Sequence, residues 1–391
     1  MLIPRLILTL LTLLGTPLWA AEPAAAPPRG QDEGLAALFQ KGSAAAVAQA
    51  LAGGAGLNLS DRDGRTPLML AAGFNPEVEV TELLLARGAD PSARENNFGL
   101  TPLMFAAMFN KPEVARSLLR GGADPNQRAD HGGAALHQAA AAGAQPGVVS
   151  ALAESGADLE AIDHDGLTPL MQAVLAEKQT VLGELLKAGA KIDHPGPEGR
   201  TALNLAAARG RSPAVIADLA SAGADLEARD HQGLTPYLAA AAANGSVVVL
   251  EALEAAGADA KAGDPSGADA LLLASLSNSN PEVIKHLLRK GAELNGVRPN
   301  GLTPLLAAAG NPEPEAARFL ILAGADAGAT DPAGRTALML AVWLNPNDEV
   351  AKILSAGGVD LEARDRQGRA ALDYLGPDRP LLADFLRRRE R

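Results

Sequence analysis

Residues 64–99 read GRTPLMLAAGFNPEVEVTELLLARGADPSARENNFG, and the stretch that follows from Gly99, beginning GLTPLMFAAMFN, repeats the same plan. A glycine opening a G-x-[T/A/D]-[P/A]-[L/Y] junction recurs at Gly64, Gly99, Gly132, Gly166, Gly199, Gly233, Gly267, Gly301, Gly334 and Gly368, always 33 to 35 residues apart. A second marker trails each of the first nine by 23 or 24 residues. It reads GAD at 88–90, 122–124, 156–158, 223–225, 257–259 and 324–326, with GAK 189–191, GAE 291–293 and GVD 358–360 as variants. Two phased markers recurring nine times define an internal repeat. The repeats are numbered one to nine from Gly64.

Each marker has a physical role. Threonine in the junction is a helix N-cap, and the proline after it takes the first helical position, where its missing N–H costs nothing. Leu68 and its equivalents then point inward, followed by alanine pairs at 71–72, 106–107, 206–207 and 307–308 that let two helices approach closely. A second helix carries Leu83-Leu84-Leu85, Leu118-Leu119 or Leu287-Leu288 and ends at the GAD glycine, a left-handed C-cap. Pro112, Pro146, Pro213, Pro281 and Pro314 stand ten residues before that glycine and start the second helix, with Ser212 and Asn280 as caps for two of them. The polar segment from each GAD to the next junction fits an extended arm and a hairpin tip.

Helix, turn, helix and hairpin at this period resemble the ankyrin repeat, whose G-x-T-P-L, L-L-x-x-G-A-D and D-x-x-G signatures stand here over about residues 31–391. The resemblance implies an all-α ankyrin-repeat solenoid with β-hairpin tips. Nine full repeats over residues 61–364 would lie between an N-terminal capping unit, 31–60, and a C-terminal one, 365–391. It also implies recognition of a protein partner through a concave groove and the hairpin tips. His137, in the slot after the junction leucine, would hydrogen-bond between repeats. The junctions at 132–136 (GGAAL) and 267–271 (GADAL) lose both threonine and proline. Repeats three and seven are therefore expected to be weakest, each lost cap costing about 1 kcal/mol.

Composition narrows the function. The 391 residues are 47% apolar yet hold only eleven aromatics, so burial must come from many small alanine, leucine and valine contacts. The absence of cysteine removes disulfides, thiol nucleophiles and cysteine–zinc sites. A net charge of −12 argues against nucleic acid and anionic membrane as partners. Residues 1–20, MLIPRLILTLLTLLGTPLWA, have the three-part layout of a secretory signal peptide, with cleavage after Ala20 or Ala21. Residues 21–30 form an Ala/Pro linker. The expected location is the bacterial periplasm or the outside of the cell, and the mature chain is expected to be a monomer without a membrane anchor.

No catalytic constellation, metal site or cofactor motif stands out: G-x-S-x-G, HExxH, Walker A and dinucleotide fingerprints are all missing. His131, His164 and His231 fall near hairpin tips, but an expected tip spacing of about 10 Å is too wide for two of them to share a zinc ion. The acid pairs Asp61/Asp63 and Asp163/Asp165 read as solvated hairpin residues. The leading expectation is a non-enzymatic binder of scaffold, protective or immunity type. The alternatives are a metal-dependent accessory enzyme using the hairpin His and Asp residues, and a secreted effector that binds a host protein.

Two features mark partner-facing positions. Leu100, Leu167, Leu234 and Leu302 follow every second junction glycine, alternating with Arg65, Gly133, Arg200, Ala268 and Arg335. They form either a row of apolar tips or simple packing on the neighbouring hairpin. The scarce aromatics also cluster. Phe74, Met108 and Phe109 lie late in the first helices of repeats one and two, Phe98 on the lengthened hairpin between them, and Trp343 in the same late slot of repeat nine. Large apolar residues at such slots are what binding hot spots are made of, and filling gaps between helix layers is their other use. Phe105, one turn earlier, is read as core.

Overall fold

The threonines cap as their position requires. Thr66, Thr101, Thr168, Thr201, Thr303 and Thr336 each sit in extended backbone, and each hydroxyl accepts an N–H three residues on. The first helices follow directly, among them Pro67–Phe74, Pro102–Phe109, Ala135–Ala142 and Pro169–Leu175, then Ala202–Arg209, Pro236–Ala243, Ala270–Ser277 and Ala337–Leu344. The computed structural model describes residues 31–210, 212–243, 246–376 and 379–389. The expected leader, 1–20, and linker, 21–30, lie outside these described residues.

Second helices, such as Val78–Ala86, Pro112–Arg120, Val247–Ala256 and Pro281–Arg289, end at the glycine of the second marker. Gly88 takes φ 89°, and the turn closes with Gly88 N–H on the Leu85 carbonyl and Ala89 N–H on the Leu84 carbonyl. That paired closure is the Schellman arrangement, which needs a residue tolerant of positive φ.

The repeats fall into two units, divided between Lys191 and Ile192. The first holds the N-terminal cap and repeats one to four; the second holds repeats five to nine and the C-terminal cap. Within each unit, first helices pack on first helices and second on second, in two layers. A first helix is therefore covered on several sides: residues 67–73 are all buried, as are 236–242. Alanines 71, 72, 106 and 107 are completely enclosed, which is how a chain short of aromatics builds a core. Phe105 is buried as expected.

Among the described residues the hairpin arms form no named strand; two isolated bridges, Gly263 to Asp269 and Thr330 to Thr336, are the only ladder pairs. The tips are instead held by an acid turned inward. Asp61 Oδ1 accepts the N–H groups of Asp63 and Arg65, and Gly64 closes the turn at φ 79°. Asp163, Asp230, Asp264, Asp331 and Asp365 do the same in their own tips. Asp163 also accepts from Gln172 Nε2 at 2.7 Å and is buried, so it is not the solvated residue expected from the sequence. Arginine after the junction glycine folds back on this acid, as in Arg65 to Asp61 and Arg335 to Asp331. Repeat five has Gly196 in the acid's place, and Arg200 turns to Asp230 and Glu198.

Repeat seven corrects an expectation. Its Asp269 is itself the N-cap, accepting Leu272 N–H at 2.9 Å, so no cap is lost. Asp269 also pairs with Arg298 at 2.7 Å. Repeat three does lack a capping oxygen, since Ala134 has none to offer.

A second device was not anticipated. Five buried asparagines, Asn75 and Asn110 in the first unit and Asn278, Asn311 and Asn345 in the second, end their first helices. Each donates Nδ2 to carbonyls of the preceding repeat or cap: Asn110 to Ala72 and Asn75, Asn345 to Ala309 and Asn311. Not every buried polar atom is so well placed. Thr81 is fully buried in Val78–Ala86 and its hydroxyl has no partner. Thr81→Val keeps the shape and removes that desolvated group, so we expect a gain of about 1 kcal/mol, read from the urea midpoint. A loss of similar size would show that the hydroxyl is satisfied.

Candidate functional site

The late turn of each first helix is where apolar side chains leave the core. Phe74 and Phe109 occupy that turn in repeats one and two, and their rings stack with centroids 5.4 Å apart and planes 21° from parallel. Phe105 lies beneath, edge-on to Phe74 at 6.4 Å. Gly73 makes room for it: a Cβ there would stand 3.3 Å from the Phe105 ring. The upper pair stays open to solvent, with Phe74 42% and Phe109 48% exposed. Met108 is half-buried beside them in sequence.

Phe98, 56% exposed on the lengthened tip, makes no ring contact with this cluster among the described residues. The four leucines are each half-buried rather than free. Their slot backs onto the neighbouring repeat: the Leu167 carbonyl accepts from His137, and the Leu234 carbonyl from Asn204. Exposed apolar side chains occur instead on the hairpin arms, at Ile162 and Val297, where single residues flanked by polar ones carry no period in the sequence.

In the second unit Trp343 is 51% exposed and has company. The Arg335 guanidinium lies 4.8 Å from its ring centroid and Tyr374 5.9 Å away. Arg369 covers the other aromatic, 4.4 Å from the Tyr374 centroid.

Titratable groups were examined for chemistry. Neighbouring tips are much closer than the 10 Å expected, since His164 N–H donates to the His131 carbonyl at 3.0 Å. That spacing estimate fails because tips are joined through their backbones. Even so, among the described residues no group of three His, Cys, Asp or Glu is placed to hold a metal ion. His131 accepts from Gln138 Nε2 at 2.8 Å, and burial lowers its pKa.

The densest cluster lies in repeats six and seven and has no sequence signature. Glu254 accepts from Tyr237, His286 Nε2 and Lys290 Nζ at 2.9, 2.8 and 2.7 Å. Burial pushes the Glu254 carboxyl up, but the bonds from Lys290, His286 and Tyr237 outweigh it and hold the group below its usual range. Burial and then the bond to Glu254 drive the Tyr237 phenol well above its ordinary value. Both shifts run away from neutrality, opposite to what an acid–base pair requires, and all three donors tie second helices to a first helix.

His137 does what its slot implies. Its Nδ1 accepts Ala134 N–H at 3.2 Å, so the proton sits on Nε2, which donates to the Leu167 carbonyl at 3.1 Å. Burial lowers its pKa, against the pull of that carbonyl and of Asp163. The folded state therefore resists a proton that the unfolded chain takes up near pH 6.5, so stability is held above that pH and lost as pH falls through it. Repeat five fills the slot with Asn204, which makes equivalent bonds without titrating. His137→Asn should narrow the drop in the first unit's midpoint between about pH 7.5 and about pH 5.5. An unchanged drop would clear His137 of the effect.

No described helix is long and apolar enough to cross a membrane. A family model for "Ankyrin repeats (3 copies)" matches residues 34–129, 123–195, 203–297 and 271–365. Among solved structures, the ankyrin repeat domain of human ASB11 is 24% identical, with a TM-score of 0.50, covering 57% of this chain and 99% of that one. The ankyrin repeat domain of Bcl-3, described as a unique member of the IkappaB family, is 29% identical with a TM-score of 0.47, covering 60% and 100%. No curated protein matches the chain.

Proposed function

This chain belongs to the ankyrin-repeat family, whose domains typically mediate protein–protein interaction, and from that premise we propose that it is an exported, non-enzymatic binder of a protein partner. The observation that carries the reading is the exposed Phe74–Phe109 stack over buried Phe105. Two large rings held rigid by a core residue lose little freedom on binding, which is what an anchor needs. Phe98, Met108 and Trp343 are further contact residues in this reading, and the half-buried leucines contribute at the edge. Export rests on the layout of residues 1–20 and places the mature chain in the periplasm or beyond it.

The test begins with the protein that co-purifies with the mature chain. Phe74→Ala/Phe109→Ala should keep the thermal midpoint nearly unchanged and weaken retention of that protein at least about ten-fold. Equal retention by both proteins would remove the two rings from the interface. A mature N-terminus at Ala21 or Glu22, found by mass spectrometry, checks export.

A further inference from the structure

The platform in the second unit has a chemistry of its own. Trp343 and Tyr374 lie side by side, with Arg335 against the indole and Arg369 against the phenol. Each guanidinium is held from behind by an enclosed acid. Arg335 Nε and Nη2 bond Asp331, whose side chain is 3% exposed, and Arg369 Nε and Nη2 bond Asp365, at 1%. Tyr374 donates its hydroxyl to Asp365 as well. Among the described residues no group reaches the Nη1 of either arginine. The last tip, residues 364–369 (RDRQGR), adds Arg364 and Arg366. Both are exposed, while the single acid between them faces inward. A chain of net charge −12 thus presents, at this one place, aromatic faces rimmed by guanidinium edges.

We propose that this platform binds a short acidic segment of a protein partner, with an apolar or aromatic side chain on Trp343 and Tyr374 and flanking carboxylates on Arg335 and Arg369. The proposal rests on the protein-binding reading above and specifies partner chemistry at a second place. Buried Asp331 and Asp365 fix the two arginines in advance, so their outer N–H groups meet a carboxylate without further ordering. The aromatic faces supply the apolar contact, and the tip arginines supply charge complementarity. Stacked bases on arginine and aromatics would be the nucleic-acid version. The acidic remainder of the chain disfavours it, because an extended polyanion would be repelled beyond the platform.

The test uses the full chain and three labelled probes followed by anisotropy: a tryptophan-free ten-residue peptide alternating Glu and Phe, its Gln-for-Glu counterpart, and a ten-nucleotide oligothymidylate. The acidic peptide should bind at least about ten-fold tighter than the neutral one and weaken about ten-fold in Trp343→Ala. It should also weaken in Arg364→Gln/Arg366→Gln, which leaves the aromatic pair and Asp365 in place. Equal binding of the two peptides, indifference to both variants, absence of peptide binding, or tighter binding of the oligonucleotide would each overturn the proposal. Phe74→Ala/Phe109→Ala should bind the acidic peptide normally. Loss of peptide binding with the co-purifying protein still held through the phenylalanines would sink this inference alone.

Discussion

Replacing Asp269 with threonine should destabilise the second unit by about 3 kcal/mol, although threonine is what most repeats carry at that position. Threonine would still cap Ala270–Ser277. What it removes is the partner of Arg298, which is 7% exposed as a residue. Arg298 bonds Asp269 through Nε and Nη2 at 3.1 and 2.7 Å and gives its other N–H groups to the Glu293 and Gly296 carbonyls. Without the acid, a buried guanidinium keeps its charge and only neutral acceptors. Arg298 itself stands where other tips have their inward acid, and Asn300 has taken over part of that job, accepting Leu302 N–H at 3.0 Å. Repeats seven and eight have thus exchanged their cap and tip residues as a pair.

The double variant Asp269→Thr/Arg298→Asp restores the arrangement of the other repeats, a threonine cap followed by an inward tip acid. We expect it to recover most of the loss. Trp343 fluorescence against urea reads the second unit, since the chain's other tryptophan is Trp19 in the leader. A double variant no more stable than Asp269→Thr alone would mean that the two residues are not coupled.

That pair shows where reading the sequence reached its limit. Threonine caps, marker glycines, buried Phe105 and the His137 bonds were all legible, because each depends on neighbours a few residues away and recurs with the period. Asp269 read as a lost cap, since its role depends on Arg298, 29 residues on, and occurs once. Exposure of Phe74 and Phe109 was foreseeable from their late-helix slot, but their stacking was not, because it depends on Gly73 clearing space for Phe105. The tip spacing was misjudged by treating tips like helices. His164 and His131 are joined through the backbone, an approach that side-chain-covered helices cannot make. Tyr374 was placed among the apolar residues of the cap, whereas its ring and hydroxyl complete the platform around Trp343.

The asparagines were equally hidden, and one of them gives the second large effect. Asn311 is fully enclosed; its Nδ2 donates to the Ser275 and Asn278 carbonyls, both at 3.1 Å, and its Oδ1 accepts Glu313 N–H. Asn311→Asp keeps the shape but turns a donor into an acceptor facing two carbonyl oxygens. We expect a loss of about 3 kcal/mol near neutral pH, from two stranded acceptors and a charge with one hydrogen bond. The pH dependence identifies the cause. Those carbonyls and the burial favour the protonated acid, which raises its folded-state pKa above the unfolded value of about 3.9. The penalty is then full above the folded pKa and shrinks as pH falls toward the unfolded one, because a protonated carboxyl can donate again. The gap in urea midpoint between the natural chain and Asn311→Asp should therefore narrow between about pH 7.5 and about pH 5, while the natural chain itself weakens over that range. Asn311→Leu, equally unable to donate but without a titrating group, should show a comparable loss and a constant gap. A constant gap for both variants would place the cost in packing, and the asparagine ladder would then be no more than a way of filling space.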